Sequence, residues 1–306
     1  ANAQNLKRQY CNPLPMEIGP AGNASGDVTV LEYQDKYYMY CTGGGAWVSS
    51  DLVNWEYEHV EHVSRIPVAP DVAEYNGRFY MSGNDCPLYV ADHPLGPYSL
   101  LGDWTNTGEI SEGWNGAFDT HIYVDDDNQP YLFWPGRGIS GIYGVKLNPE
   151  NLCEFVGKPV HLFGFNPMHK WERYGEMNEY PGVAWIEGPW VIKRNGIYYL
   201  IYSSQVMHEL CYGYSDNPLG PYKYGGVIVS NADIGIGTYK PADKPSCFGA
   251  NNHGSIVEIN GKWYIFYHRQ TNNTWYSRQG CAEKITILED GSIPQAEITS
   301  CGLNDG

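Results

Sequence analysis

AFDTHIYVDDDNQPYLFW, residues 117–134, reads as two short apolar strands joined by a turn. HIYV runs out, DDDN turns the chain and PYLFW returns; apolar runs parted by Asp and Asn are the pattern of a β-hairpin. The returning strand recurs as YQDKYYMYCTG (33–43), YNGRFYMSGND (75–85), RNGIYYLIYSS (194–204) and INGKWYIFYHR (259–269). Aligned on Tyr38, Tyr80, Tyr131, Tyr199 and Tyr264, the copies lie 42, 51, 68 and 65 residues apart. A solenoid keeps a steadier period, whereas a ring of small sheets absorbs such differences in its rim loops. Several short strands per repeat of about 40–50 residues predict a β-propeller. Five copies predict an all-β, five-bladed β-propeller. A second echo, CPLYVADHPLGPY (86–98) and CYGYSDNPLGPYKY (211–224), supports the repeat independently.

A polar residue heads each copy. Asp27 precedes VTVLEY, Asp71 precedes VAEY, Asp119 precedes THIYV, Glu187 precedes GPWVIK and His253 precedes GSIVEI, each 9 to 12 residues ahead of its marker tyrosine. The innermost strands of a propeller flank the central axis, so equivalent residues at their starts converge at one end of it. Unpaired charge is costly in a core, so these residues are expected to line a site. The competing reading makes them solvent-facing caps, and Asp71 has the odd offset. Three carboxylates at one end of a cavity suggest glycoside hydrolysis, which needs one carboxyl protonated and another ionised. Burial and mutual repulsion separate their pKa values. Blades 1 and 4 face each other across the channel with room for water, which favours inversion and a carboxyl separation of roughly 6.5–9.5 Å. Trp47, beside Gly43, Gly44 and Gly45, reads equally as a sugar platform or a core residue. GxSxG, HExxH, GxGxxG and Walker patterns are absent, which leaves hydrolase elbows, zincins and nucleotide loops without support.

The chain has 306 residues, and the copies span most of them, so one domain over 1–306 is expected, with the Pro-rich stretch 1–22 as an arm that helps close the ring. A net charge of -16 argues against nucleic acid and anionic membranes as partners. No run of 18 apolar residues exists to span a bilayer. Twenty-six tyrosines and ten tryptophans suit sugar rings, whose C–H faces pack on aromatics. Eight cysteines without a CxxC pair allow up to four disulfides in an oxidising compartment. Asn23 and Asn272 begin glycosylation sequons, and the chain starts without Met, so a secreted protein is expected. The stretches 162–183 and 228–250 are expected to be long loops walling a pocket at the acidic end.

These residues together resemble glycoside hydrolase family 43, whose five-bladed propellers the whole chain is similar to. GDVTVLEYQDKYYMYCTG matches the family's first blade, with Val28 where a proline often stands; the resemblance implies that Asp27 is the general base. FDTHIYVDDDNQPYLFW matches the strand of the orienting carboxylate, which implies that role for Asp119. WIEGPWVIKRNGIYYLIYS carries the EGP motif of the family's acid at Glu187. HGSIVEINGKWYIFYHR matches the fifth blade, whose His253 is implied to serve an axial calcium, halide or water site. Arg278, with Arg269 as the second choice, is implied to contact substrate or the orienting Asp119. Trp47, Asp71 and Phe118 complete the expected substrate contacts.

The chemistry requires no cofactor, and a structural calcium is allowed at His253. The expected substrate is a neutral plant-type polysaccharide or oligosaccharide, from which terminal α-L-arabinofuranosyl residues are released. A β-D-xylosidase or exo-β-1,3-galactanase of the same fold is the alternative, and a non-catalytic sugar-binding propeller is the rival from another class.

Overall fold

The structure is a computed structural model that describes residues 12, 14, 26–42, 44–62, 66–84, 87–104, 114, 117–136, 141–163, 186–204, 209–236, 238–241, 243–249, 251–270, 277–300 and 302–303. Among the described residues, nineteen strands form five antiparallel sheets, one per sequence copy. Blade 1 holds β1 (Gly26–Tyr33), β2 (Lys36–Thr42), β3 (Ala46–Ser49) and β4 (Glu56–Glu58). Blade 2 holds β5 (Asp71–Tyr75), β6 (Arg78–Ser82), β7 (Leu88–Ala91) and β8 (Ser99–Gly102). Blade 3 holds β9 (His121–Val124), β10 (Pro130–Pro135), β11 (Ile142–Asn148) and β12 (Asn151–Phe163). Blade 4 holds β13 (Glu187–Arg194), β14 (Ile197–Ser203), β15 (Leu210–Ser215) and β16 (Lys223–Val229). Blade 5 holds β17 (Ser255–Ile259), β18 (Lys262–Gln270) and β19 (Arg278–Ile285). The first strands touch in cyclic order, β1 to β5, β9, β13, β17 and back to β1, so the sheets close into a five-bladed β-propeller.

The turns follow from their sequences. Asn76-Gly77, Asn195-Gly196 and Asn260-Gly261 join the first two strands of blades 2, 4 and 5, with positive φ at both residues. That is the two-residue hairpin geometry that Asn-Gly adopts with little strain. The paired echoes fold alike: Gly96 N donates to His93 O and Gly220 N to Asn217 O, each at 2.9 Å.

The marker strands are buried on both faces of their blades, which is why they are nearly continuous apolar runs rather than alternating ones. Along β2, Tyr37, Met39 and Cys41 pack with blade 5, while Tyr38 and Tyr40 pack with blade 2. Five apolar clusters fill the five gaps between neighbouring blades. Tyr38, Tyr80, Tyr131, Tyr199 and Tyr264 each enter the cluster shared with the following blade, Tyr264 with blade 1. Each buried ring of this kind contributes about 1.5–3 kcal/mol, so the repeat phase and ring closure have one origin.

Near the C-terminal end, Ala282–Ile285 complete β19 and Leu288–Ser292 turn, with Leu288 N donating to Ser292 O. Beside β19, Leu14 N donates to Gly280 O, and Asn12 Nδ2 donates to Ala282 O. Some expectations need revision. Four disulfides are excluded, because Cys41, Cys153, Cys211, Cys247 and Cys281 are thiols outside any disulfide. Four of these are buried in separate blades, so their thiols serve as small core groups. Of the loop expected over 162–183, Leu162 and Phe163 instead end β12, and the rest lies outside the described residues, as do Cys11, Cys86, Cys301 and both sequons. No helix among the described residues is long and apolar enough to cross a membrane.

Candidate active site

The heads of the inner strands share a backbone device. Asp27 has φ 52°, Asp119 φ 45° and Gly188 φ 63°, all left-handed. The register of β1 shifts between Gly26 and Thr29, and that of β13 between Glu187 and Trp190. Such irregularities re-aim side chains and leave backbone N–H groups outside the ladder. Those groups find side-chain partners. Asp27 N donates to His268 Nδ1 at 3.0 Å, Asp119 N to Asn84 Oδ1 at 2.6 Å, and Gly188 N to Asp119 Oδ2 at 3.2 Å.

Asp27 sits in a socket made by three blades. Its Oδ2 accepts from Thr42 Oγ1 at 2.5 Å and from Arg278 Nη1 at 2.9 Å. Thr42 Oγ1 in turn accepts from Ala69 N, at 3.0 Å. Oδ1 faces His253 Nδ1 at 3.9 Å. Burial is the largest influence and would raise the Asp27 pKa, but the Arg278 guanidinium, joined by the smaller pulls of His268, His253 and the Thr42 hydroxyl, holds the carboxyl at about 2. Glu187 behaves oppositely: burial, then the negative charges of Asp119 and Asp27, push it well above its ordinary value against the pull of Arg278. Asp119 is likewise raised, first by burial, with His253 opposing and Asp27 adding to the rise. One end of the axis therefore holds a carboxylate kept ionised with one oxygen occupied, and a carboxyl kept protonated. That pairing can take a proton from one group and give one to another.

The structure thus brings Asp27, Asp119, Glu187, His253 and Arg278 into one electrostatic cluster. Arg278 meets Asp27, the carboxylate read as the base, whereas Arg269 pairs in register with Gln279 in blade 5. Phe118 is half-buried next to Asp119. Trp47 is not a platform: it is 6 % exposed, packed edge-on against Tyr57 in the cluster between blades 1 and 5, and has no ring face left for a ligand. Asp71 is buried and spends both oxygens within the fold. Its Oδ1 lies 3.1 Å from His121 Nδ1 and its Oδ2 accepts from Ile122 N, while His121 Nε2 accepts from Val191 N. This chain ties blades 2, 3 and 4 together near their inner strands. Segment 228–250 is only partly a surface loop: Asn231–Ile234 are buried, and Asp233 accepts from Ile298 N and pairs with Lys240.

A calcium ion takes roughly six to eight oxygen ligands. Among the described residues no group of three His, Cys, Asp or Glu side chains could hold a metal, and His253 offers one nitrogen. Thr42, Asn84 and His268 were not singled out by sequence reasoning; the one available signal was a histidine inside the apolar run of the fifth marker strand.

Residues 22–293 match the model of the family described as glycosyl hydrolases family 43. A xylosidase/arabinosidase of Thermoclostridium stercorarium is 43% identical over 281 residues, 83% of this chain and 58% of that protein. The chain thus spans little more than half of that relative's length. A β-xylosidase of Xylanibacter ruminicola is 26% identical, over 78% of this chain and 72% of its own. A crystal structure of a thermostable family-43 glycoside hydrolase superposes with a TM-score of 0.69 at 26% identity, covering 97% of this chain and 98% of that one.

Proposed function

Since the chain belongs to glycosyl hydrolases family 43, we propose that it is an inverting glycosidase that removes terminal α-L-arabinofuranosyl residues from plant-type polysaccharides or oligosaccharides. The observation that carries this reading is the meeting of Asp27, Asp119 and Glu187 at one end of the axis, with Asp27 Oδ2 held by Thr42 and Arg278, Asp119 Oδ2 bound to the Gly188 N–H, and the Glu187 pKa raised by burial and two like charges. Thr42 and Arg278 occupy Asp27 Oδ2, so Oδ1 takes the proton of the attacking water. The water oxygen bonds to the anomeric carbon from one face. Glu187 donates its proton to the leaving oxygen as the glycosidic bond breaks on the other, and the product anomer is inverted. Asp119 orients the acid through the Gly188 N–H and keeps its pKa high by its own charge. Phe118 and Arg278 are the substrate contacts in this reading.

A β-D-xylosidase is the second reading, because the 43% identical relative is a xylosidase/arabinosidase. The test is hydrolysis of aryl α-L-arabinofuranoside, β-D-xyloside and β-D-galactoside, with the anomer of the first product followed by proton NMR. Arabinose released as the inverted anomer is expected. Asp27→Ala and Glu187→Gln should each lower kcat by about 10²–10⁴ in folded protein. Near-normal turnover in Asp27→Ala would remove it as the base, a retained anomer would remove the mechanism, and xylose alone would select the second reading.

A further inference from the structure

The bulge that aims Asp27 leaves its backbone N–H inside the protein with no strand partner, and the left-handed φ of 52° is one that an L-residue holds only under constraint. What receives that N–H is a side chain 241 positions away, His268 on β18. His268 is fully buried. Its Nε2 lies 3.1 Å from both the carbonyl O and the Oδ1 of Asn251. Gln270 Nε2 donates to the same two oxygens at 2.8 and 2.7 Å. Asn251 thus presents only acceptors to the ring, which places the ring proton on Nε2 and leaves the Nδ1 lone pair for Asp27 N.

Resting on the reading of Asp27 as the base, we propose that His268 is a positioning residue: a neutral imidazole whose Nδ1 fixes the backbone of Asp27 and so the direction of its free Oδ1. The ring must stay unprotonated to accept. Burial holds its pKa near 3, and the groups around it are Asp27, Arg278, His253 and Asn251. The arrangement divides the work on the base. Arg278 and Thr42 control its charge and Oδ2, and His268 controls its main chain.

Two substitutions separate the two ends of the ring. In His268→Asn the amide oxygen falls where Nδ1 stands and still accepts from Asp27 N. In His268→Gln the amide reaches the Nε2 position and serves Asn251, but leaves Asp27 N unpartnered. With an aryl substrate that the wild type cleaves, His268→Gln should lose about 10–100-fold in kcat at little-changed KM, and His268→Asn about threefold or less. In an Asp27→Ala background, His268→Gln should cost nothing further, because it acts only through Asp27. Equal losses in the two single variants, or the same loss repeated without Asp27, would overturn the proposal. A measurement on the wild type alone tests it again: nitrogen-15 NMR should show Nδ1 of His268 unprotonated from pH 8 down to about 4, and titration near the ordinary histidine pKa of about 6.5 would overturn it. A wild type inactive on every aryl glycoside would instead refute the glycosidase reading, and the NMR result would still stand or fall by itself.

Discussion

Replacing Arg278 with Met keeps the aliphatic stem that covers Gly26 and removes the charge. Two unit charges about 4 Å apart at an effective dielectric of about 20 attract by about 4 kcal/mol, which is about three pK units. The Arg278 and Asp27 side chains remain 16% and 12% exposed, so solvent screening trims the expected change to about two units. The direction follows from which forces remain. Burial already pushes Asp27 upward, and Arg278 is the largest influence holding it at about 2. Without the guanidinium the base protonates at higher pH, and the acid limb of kcat/KM against pH moves up by about two units. Arg278 also pulls Glu187 downward, so its loss raises the acid's pKa further and moves the alkaline limb up too. The whole bell should slide toward alkaline pH rather than narrow. The assay is initial rate on an aryl glycoside from about pH 1.5 to 10, beside wild type, with circular dichroism at each pH to exclude unfolding. An acid limb that stays within about half a unit of the wild type would refute the claim that Arg278 sets the protonation of the base.

Glu209 is fully buried, with its pKa raised by burial to about 8 although Ser230 and the backbone N–H groups of Asn231 and Ala232 pull it down. The folded chain keeps a proton that the unfolded chain releases above about pH 4.5, so stability falls as pH rises from there to 8. The melting temperature of Glu209→Gln relative to wild type should therefore climb between pH 5 and pH 8, and a constant difference would refute this. Gly188→Ala forces a Cβ to 3.3 Å from His253 Nδ1 and Ser203 Oγ at φ +63°. It should cost about 1–2 kcal/mol of stability and lower kcat about tenfold, as read by thermal melts and steady-state kinetics. Trp47→Ala should cost about 3–5 kcal/mol while leaving KM of the folded enzyme unchanged; a tenfold rise in KM with an unchanged melt would restore the ring as a sugar platform.

The propeller was readable because one physical demand repeats five times. A blade buried on both faces needs an apolar marker strand, and a tight hairpin needs Asn-Gly or an equivalent pair, and both leave literal traces at Tyr38, Tyr80, Tyr131, Tyr199 and Tyr264 and at residues 76, 195 and 260. Trp47 shows where such reading stops. A tryptophan after three glycines has the same letters whether its ring faces a sugar or Tyr57, and only the packing of blade 1 on blade 5 decides. Asp71 carries the same lesson in polar form: repeat phase put it level with Asp27 and Asp119, but His121 in the next blade takes its Oδ1 and the Ile122 N–H takes its Oδ2.

The division of labour among the acids is the least legible part, and the reason is physical. Asp27 and Asp119 are the same residue type in the same repeat phase with the same left-handed backbone, yet their pKa values move in opposite directions. Burial acts alike on both. The difference comes from Arg278, 251 positions away in the chain, which reaches Asp27 at 2.9 Å, whereas Asp119 has His253 pulling it down and the charge of Asp27 pushing it up. Equal heads on equal strands become unequal because a ring brings blade 5 against blade 1 and not against blade 3. The closure that makes the fold cyclic therefore also breaks its chemical symmetry. Arg278, His268 and His253, all contributed by blade 5 or the residues leading into it, surround the one carboxylate that must stay ionised. A variant that weakened the seam between blades 5 and 1 should thus disturb the base before it disturbs the acid.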